Sequence, residues 1–189
     1  LFNAQVEKHG LVNTWGPRIE ERMKVLAGAD PRHHLAITAA NEHFTALFAE
    51  WMLSHPEVFN HTEPRLKNLW LWHSAEEAEH KCTAFDLYQA LGGSHAWRVK
   101  WMRRVTVFFL TDALRQTVHN LHKDGTLWQW STWRSAGRHL LGRDGLLSSS
   151  FKPWRAYFRR DFHPNQQSSD LSLSWLNNNA DQYTRVGAG

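Results

Sequence analysis

The order of apolar and polar positions along this chain reads as helical. Few stretches alternate with period two, and no hairpin turn dipeptide sits between apolar runs. "LFNAQVEKHG" has the form of a helix tail closed by Gly10. Pro17 opens a helix over residues 17–28. Asp30-Pro31 places a good N-cap before an N1 proline, and the helix it opens is expected to run to about Ser54. "SHPEVFNHTEP" reads as a loop, after which Glu63-Pro64 starts a long helix through Leu91, stopped by Gly92-Gly93. Ser94 caps a further helix reaching about His122 and ending before Gly125, and a shorter one covers 129–141, with Gly142 and Gly145 behind it. Residues 150–189 form a less regular tail, with aromatics and arginines around Pro153 and Pro164 and a short final helix capped by Ser169 or Asp170. The expectation is one all-helical domain over residues 1–189. Leu1 is not a methionine and enters at once what reads as the end of a helix, so the first part of the natural domain is expected to be missing.

Composition narrows this picture. With 189 residues, 42% hydrophobic and 21% charged, the chain is long and apolar enough to bury a core. The net charge of +4 comes from a basic excess in the second half that includes Arg98, Arg103, Arg104, Arg138, Arg155 and Arg159. This suits a solvated basic face, or peripheral contact with an anionic partner or membrane surface. No nucleic-acid motif accompanies it. A single cysteine, Cys82, excludes an intrachain disulfide and fits a reducing compartment such as the cytoplasm. The longest largely apolar run, Val105 to Leu110, is far short of the roughly 20 residues of a membrane span.

The eleven tryptophans and thirteen histidines direct attention to "LWHSAEEAEHKCTAF", from Leu71 to Phe85. Successive residues of a helix turn by about 100°, so Glu77 and His80, an i, i+3 pair, share a face and can reach one metal ion from successive turns. His73, four residues before Glu77, lies on the same stripe. It reads as a further nitrogen ligand, a proton shuttle or a surface histidine, with a supporting role favoured. One helix earlier, Glu42 sits among Leu35, Thr38, Ala39, Thr45, Ala46 and Ala49, on a stripe that otherwise reads as buried. A buried carboxylate costs several kcal/mol unless it is paired, hydrogen-bonded or metal-bound. One Glu from one helix with Glu-x-x-His from the next is half the inward-facing ligand set of di-iron or di-manganese bundles, and these donors suit iron or manganese. The plain alternatives are an exposed pair for Glu77 and His80, and a core hydrogen bond to His or Trp for Glu42. His43 is rotated away from Glu42. Glu76 is placed to orient a ligand histidine by accepting its free N–H. Cys82 reads as a small buried residue without an activating environment.

At these residues the sequence resembles the bacterial family of predicted metal-dependent hydrolases, itself similar to ferritin-like bundles of the di-metal carboxylate type. The resemblance rests on "NEHFTALFAEWML", "WLWHSAEEAEHKCTAFDLYQALGG" and "RDFHPNQQ", and spans about Leu1 to Trp175. It implies a partial ferritin-like helical bundle with extra C-terminal helices. It also implies a divalent-metal site with Glu42, Glu77 and His80 as ligands, Glu76 supporting them, and His73, His43 and Asp86 nearby. Members carry an upstream half with its own Glu and Glu-x-x-His, and "LFNAQVEKHG" resembles the tail of that half, so its ligands would lie before Leu1.

Three functions are compatible with these residues. In hydrolysis of a small molecule, Glu76 or His73 manages protons beside a metal. In di-iron oxidase or oxygenase chemistry, the substrate is apolar. In the third, a non-catalytic helical binding protein carries a vestigial site. No phosphate-binding glycine run, nucleophile elbow or organic-cofactor loop is present.

Overall fold

Local capping sets three of the helix starts. A computed structural model describes Lys8, Gly10 and residues 12–183, apart from the side chains of Ala78 and Glu79. Among the described residues the chain is all-α, without strands. Helix α1 covers Trp15–Val25 and α2 covers Pro31–Ser54, with a 3-10 turn at Pro56–Phe59. Then follow α3 (Pro64–His80), α4 (Thr83–Ala90), α5 (His95–Lys123), α6 (Trp130–Leu141) and α7 (Leu146–Ala156). A 3-10 turn at Pro164–Gln166 leads to α8 (Asp170–Asn178). The Asp30 carboxylate accepts from the Arg32 N–H at 2.9 Å, the Glu63 carboxylate from Leu66 N–H at 3.0 Å, and the Ser94 hydroxyl from Trp97 N–H at 3.2 Å. Each satisfies an amide that the first turn leaves without an intrahelical acceptor. The expected helix tail before Gly10 lies largely outside the described residues; Gly10 itself has φ +66°, as a helix-closing glycine requires.

Three expectations need correction. Helix α1 begins at Trp15, because Asn13 Oδ1 accepts from the N–H groups of both Trp15 and Gly16 and opens the helix ahead of Pro17. The long helix through Leu91 is two helices. At Lys81 and Cys82 the chain turns, and both side chains reach the C-terminal segment: Lys81 Nζ donates to the Gln167 carbonyl and Cys82 Sγ approaches Asn165 Oδ1. Finally, the tail is more regular than its composition suggests, with α7 running through Pro153 and α8 packed back on the bundle.

Helix α2 is the axis, with α3, α4, α5, α7 and α8 packed around it. Ala36, Ala39, Ala40 and Ala49, all buried, keep its surface low enough for neighbours to approach. The main core joins Ala39, Ala40 and Phe44 of α2 to Phe85, Met102, Tyr157 and Phe162. Arg98, counted above with the basic face, belongs to this interior: it is 4% exposed, donates to the Tyr157 and Arg159 carbonyls at 2.7 Å each, and lies over the rings of Phe85 and Tyr157. No helix among the described residues is long and apolar enough to cross a membrane.

The stop after α4 is steric as well as conformational. Gly92 has φ +73°, and a Cβ on Gly93 would lie 2.4 Å from the Tyr88 ring, itself fully buried. Gly93→Ala is therefore expected to cost about 2 kcal/mol through displaced packing, read as a lower urea midpoint at unchanged m-value.

Candidate metal centre

Helix α2 carries Glu42 toward the junction where α3 ends and α4 begins. The side chain is half-buried, and its Oε2 is sealed from solvent with no hydrogen-bond partner among the described residues. Burial raises the Glu42 carboxyl above its usual range. The Ala84 amide at the start of α4 and the charge of His80 oppose that shift, and the charge of Glu77 adds to it. The Glu77 and His80 side chains thus act on Glu42 across the α2–α3 contact. Their exposures differ: Glu42 and Glu77 are half-buried, whereas His80, the last residue of α3, is exposed. Among the described residues, no three His, Cys, Asp or Glu side chains are gathered closely enough to hold a metal ion.

His73 is exposed and its Nε2 lies 3.4 Å from Glu77 Oε1, the i, i+4 approach its spacing implies. Glu76 is half-buried, and no histidine among the described residues donates to it. Asp86 is on the surface of α4 with its Oδ1 2.7 Å from His163 Nε2. The other nitrogen of that ring, Nδ1, accepts from the Asn165 N–H at 3.2 Å, so the Nε2 proton faces Asp86. The Cys82 thiol is raised by burial and by the charges of Asp86 and Glu42, against a smaller opposing effect of Lys81, which leaves it protonated and a poor nucleophile.

His43 is only 2% exposed and packs between the rings of Tyr157 and Phe162 at 4.9 and 5.4 Å. Burial lowers its pKa to about 4. The ring is therefore neutral when folded and takes up a proton near pH 6.5 when unfolded. Between those two values the unfolded state binds more protons, so stability falls as pH falls. Going from pH 8 to pH 5 is expected to remove about 2 kcal/mol through this group alone. Denaturant titrations of His43→Phe should show that part of the acid dependence gone.

Sequence reading assigned no role to Tyr157, His163 or Asn165, although "RDFHPNQQ" stood out as a motif. Tyr157 is fully buried, and its hydroxyl has no partner among the described residues. Its phenol is pushed up by burial, countered by Arg98, with a smaller push from Tyr88 and Glu42. Glu42 Oε2, His43 Nε2 and Tyr157 Oη are thus three sealed polar atoms without partners in one region of the core. Buried polar atoms are rarely left so, and each calls for a bound group or a small rearrangement. The free Oε2 of Glu42 is an acceptor for a divalent cation, and carboxylate and imidazole are donor types that iron takes, but Glu42, Glu77 and His80 are not drawn together around one point.

The fold is all-α, with the half-buried carboxylate of Glu42 where the central helix meets the turn between two others. The chain belongs to the family of predicted metal-dependent hydrolases, whose model matches residues 1–168. Membership implies a divalent metal. Neither a curated protein nor a solved structure matches the chain.

Proposed function

We propose that this protein hydrolyses a small molecule at a divalent metal held by Glu42, Glu77 and His80, in a bundle of ferritin-like type. The observation that carries the reading is the sealed, partnerless Oε2 of Glu42, with Glu77 and His80 acting on it from the adjoining helix. Iron or manganese suits the donors. When bound, such an ion supplies Lewis acidity and lowers the pKa of water. The chain's own residues provide the rest. His73, on the exposed side of Glu77, moves protons between solvent and the site, and Glu76 accepts one alongside it. His43, neutral through burial, closes the inner wall with Tyr157, and Asp86 with His163 fixes the start of α4 against the C-terminal segment. Ester and amide substrates should turn over at a rate independent of oxygen, and Glu77→Ala should abolish that turnover. Undiminished turnover in this variant would overturn the assignment.

A second reading, di-iron oxidase chemistry on an apolar substrate, is favoured by one observation. A cavity of 520 Å³ lies between α1 and α5, lined by Trp15, Ile19, Met23, Phe108 and Phe109, and its α2 wall includes Asn41, the residue before Glu42. Oxygen uptake on adding ferrous iron would decide for this reading.

A further inference from the structure

A second cavity, of 310 Å³, lies on the other side of α2, between its C-terminal half and the segment that contains α7 and α8. Its volume is at the small end of the roughly 300–1,000 Å³ of ligand pockets. Two ionisable side chains, Lys81 and Glu50, line it. Lys81 is 5% exposed, and its Nζ donates to the Gln167 carbonyl and to Ser169 Oγ, both at 2.7 Å. An ammonium has three N–H groups, and both acceptors here are neutral, so one donor is left over and the charge has no direct counter-ion. No carboxylate among the described residues is within ion-pair distance of it. Glu50 is half-buried and its carboxylate makes neither a hydrogen bond nor an ion pair among the described residues; the charge of Lys81 acts on it across the cavity, and that of Asp170 opposes this more weakly. The two opposite charges therefore share a cavity and feel each other across it without direct contact, which leaves space for a group that bridges them. The hydroxyls of Ser149, Ser150 and Ser172 complete a polar wall and make no hydrogen bonds to the described protein.

We propose that this cavity binds a small zwitterion, a short amino carboxylate whose carboxylate takes the free N–H of Lys81 and whose ammonium sits against Glu50. The Lys81 end accepts an anion, the Glu50 end, with Asp170 behind it, accepts a cation, and the serines supply hydrogen bonds to the middle. A ligand with only one charge would leave the other unpaired inside the cavity, which is the basis of selectivity. The site is separate from the metal ligands: none of Glu42, Glu77 and His80 lines it.

Isothermal titration of the metal-free protein with 4-aminobutanoate and 5-aminopentanoate tests this, with butanoate and butylamine as single-charge probes. At least one amino carboxylate should bind saturably with one site per chain, and both single-charge probes at least about tenfold more weakly. Glu50→Gln and Lys81→Gln should each weaken binding at least about tenfold. Lys81 also anchors the α3–α4 turn, so Ser149→Leu, at an exposed position on the cavity wall, serves as the variant that blocks the space without touching an anchor. It should abolish binding at an unchanged circular dichroism spectrum. Glu77→Ala should bind as the parent does. Absence of saturable binding for both amino carboxylates, equal affinity for butanoate or butylamine, or parental affinity in both Glu50→Gln and Ser149→Leu would each overturn the proposal.

Discussion

Replacing Arg98 with alanine lowers the unfolding free energy by about 4 kcal/mol, the order of loss when buried acceptors are orphaned and a cavity opens in the core. The guanidinium is the link between α5 and the segment after α7. Its two N–H groups hold the Tyr157 and Arg159 carbonyls, and its face rests on Phe85, Tyr157 and Phe162 at 5.1, 4.9 and 5.7 Å. Alanine leaves the buried Tyr157 carbonyl and the part-buried Arg159 carbonyl without their donor, at about 1–3 kcal/mol for the former and less for the latter, and opens a cavity beside three rings. Lysine, a single point of charge, can satisfy one carbonyl and not the fork, so Arg98→Lys should lose about half as much. Denaturant unfolding measures both values. A loss below about 1 kcal/mol for alanine would mean that the carbonyls find water or other donors at once.

The second large effect is on metal affinity. Glu42→Leu and Glu77→Ala should each weaken divalent-cation binding at least about 100-fold, more than loss of a supporting hydrogen bond does. Their effects on the metal-free protein should differ. Glu42 has a sealed carboxylate oxygen with no partner, so leucine removes a polar group that costs free energy in the apo fold, and stability should rise by about 1 kcal/mol. Glu77 is half-buried with His73 beside it, and its alanine variant should leave apo stability nearly unchanged. A gain of stability coupled to loss of affinity at one position is the signature of a residue kept for function. If Glu42→Leu destabilises the apo protein, the hydrogen bond from the Ala84 amide to the carboxylate outweighs the cost of the sealed Oε2.

Much of the helical framework could be read from the chain because its determinants are local. Asp30, Glu63 and Ser94 each cap an amide two or three residues away, and the glycines after α4 and α5 adopt the left-handed backbone that stops a helix. The break at Lys81–Cys82 could not be read this way. Nothing within "AEEAEHKCTAFD" interrupts a helix; the turn depends on Asn165, Gln167 and Ser169, more than 80 residues further on. Arg98 was misplaced for the same reason, since the carbonyls that hold it are 59 and 61 residues away. At the candidate centre, the i, i+3 relation of Glu77 and His80 and the apolar stripe around Glu42 are written in the sequence. How far apart the helices hold these groups is set by the alanine-lined packing of α2, which periodicity does not encode. His163 and Asn165 escaped because their partners, Asp86 in α4 and Cys82 in the turn before it, lie about 80 residues earlier in the chain.

Metal stoichiometry is the most direct test of the centre. Elemental analysis after saturation with ferrous or manganous ion and removal of the excess should find at least one equivalent per chain in the parent and almost none in Glu42→Leu or Glu77→Ala, with helicity unchanged in all three. A parent that retains no metal, or variants that retain as much as the parent, would contradict the account.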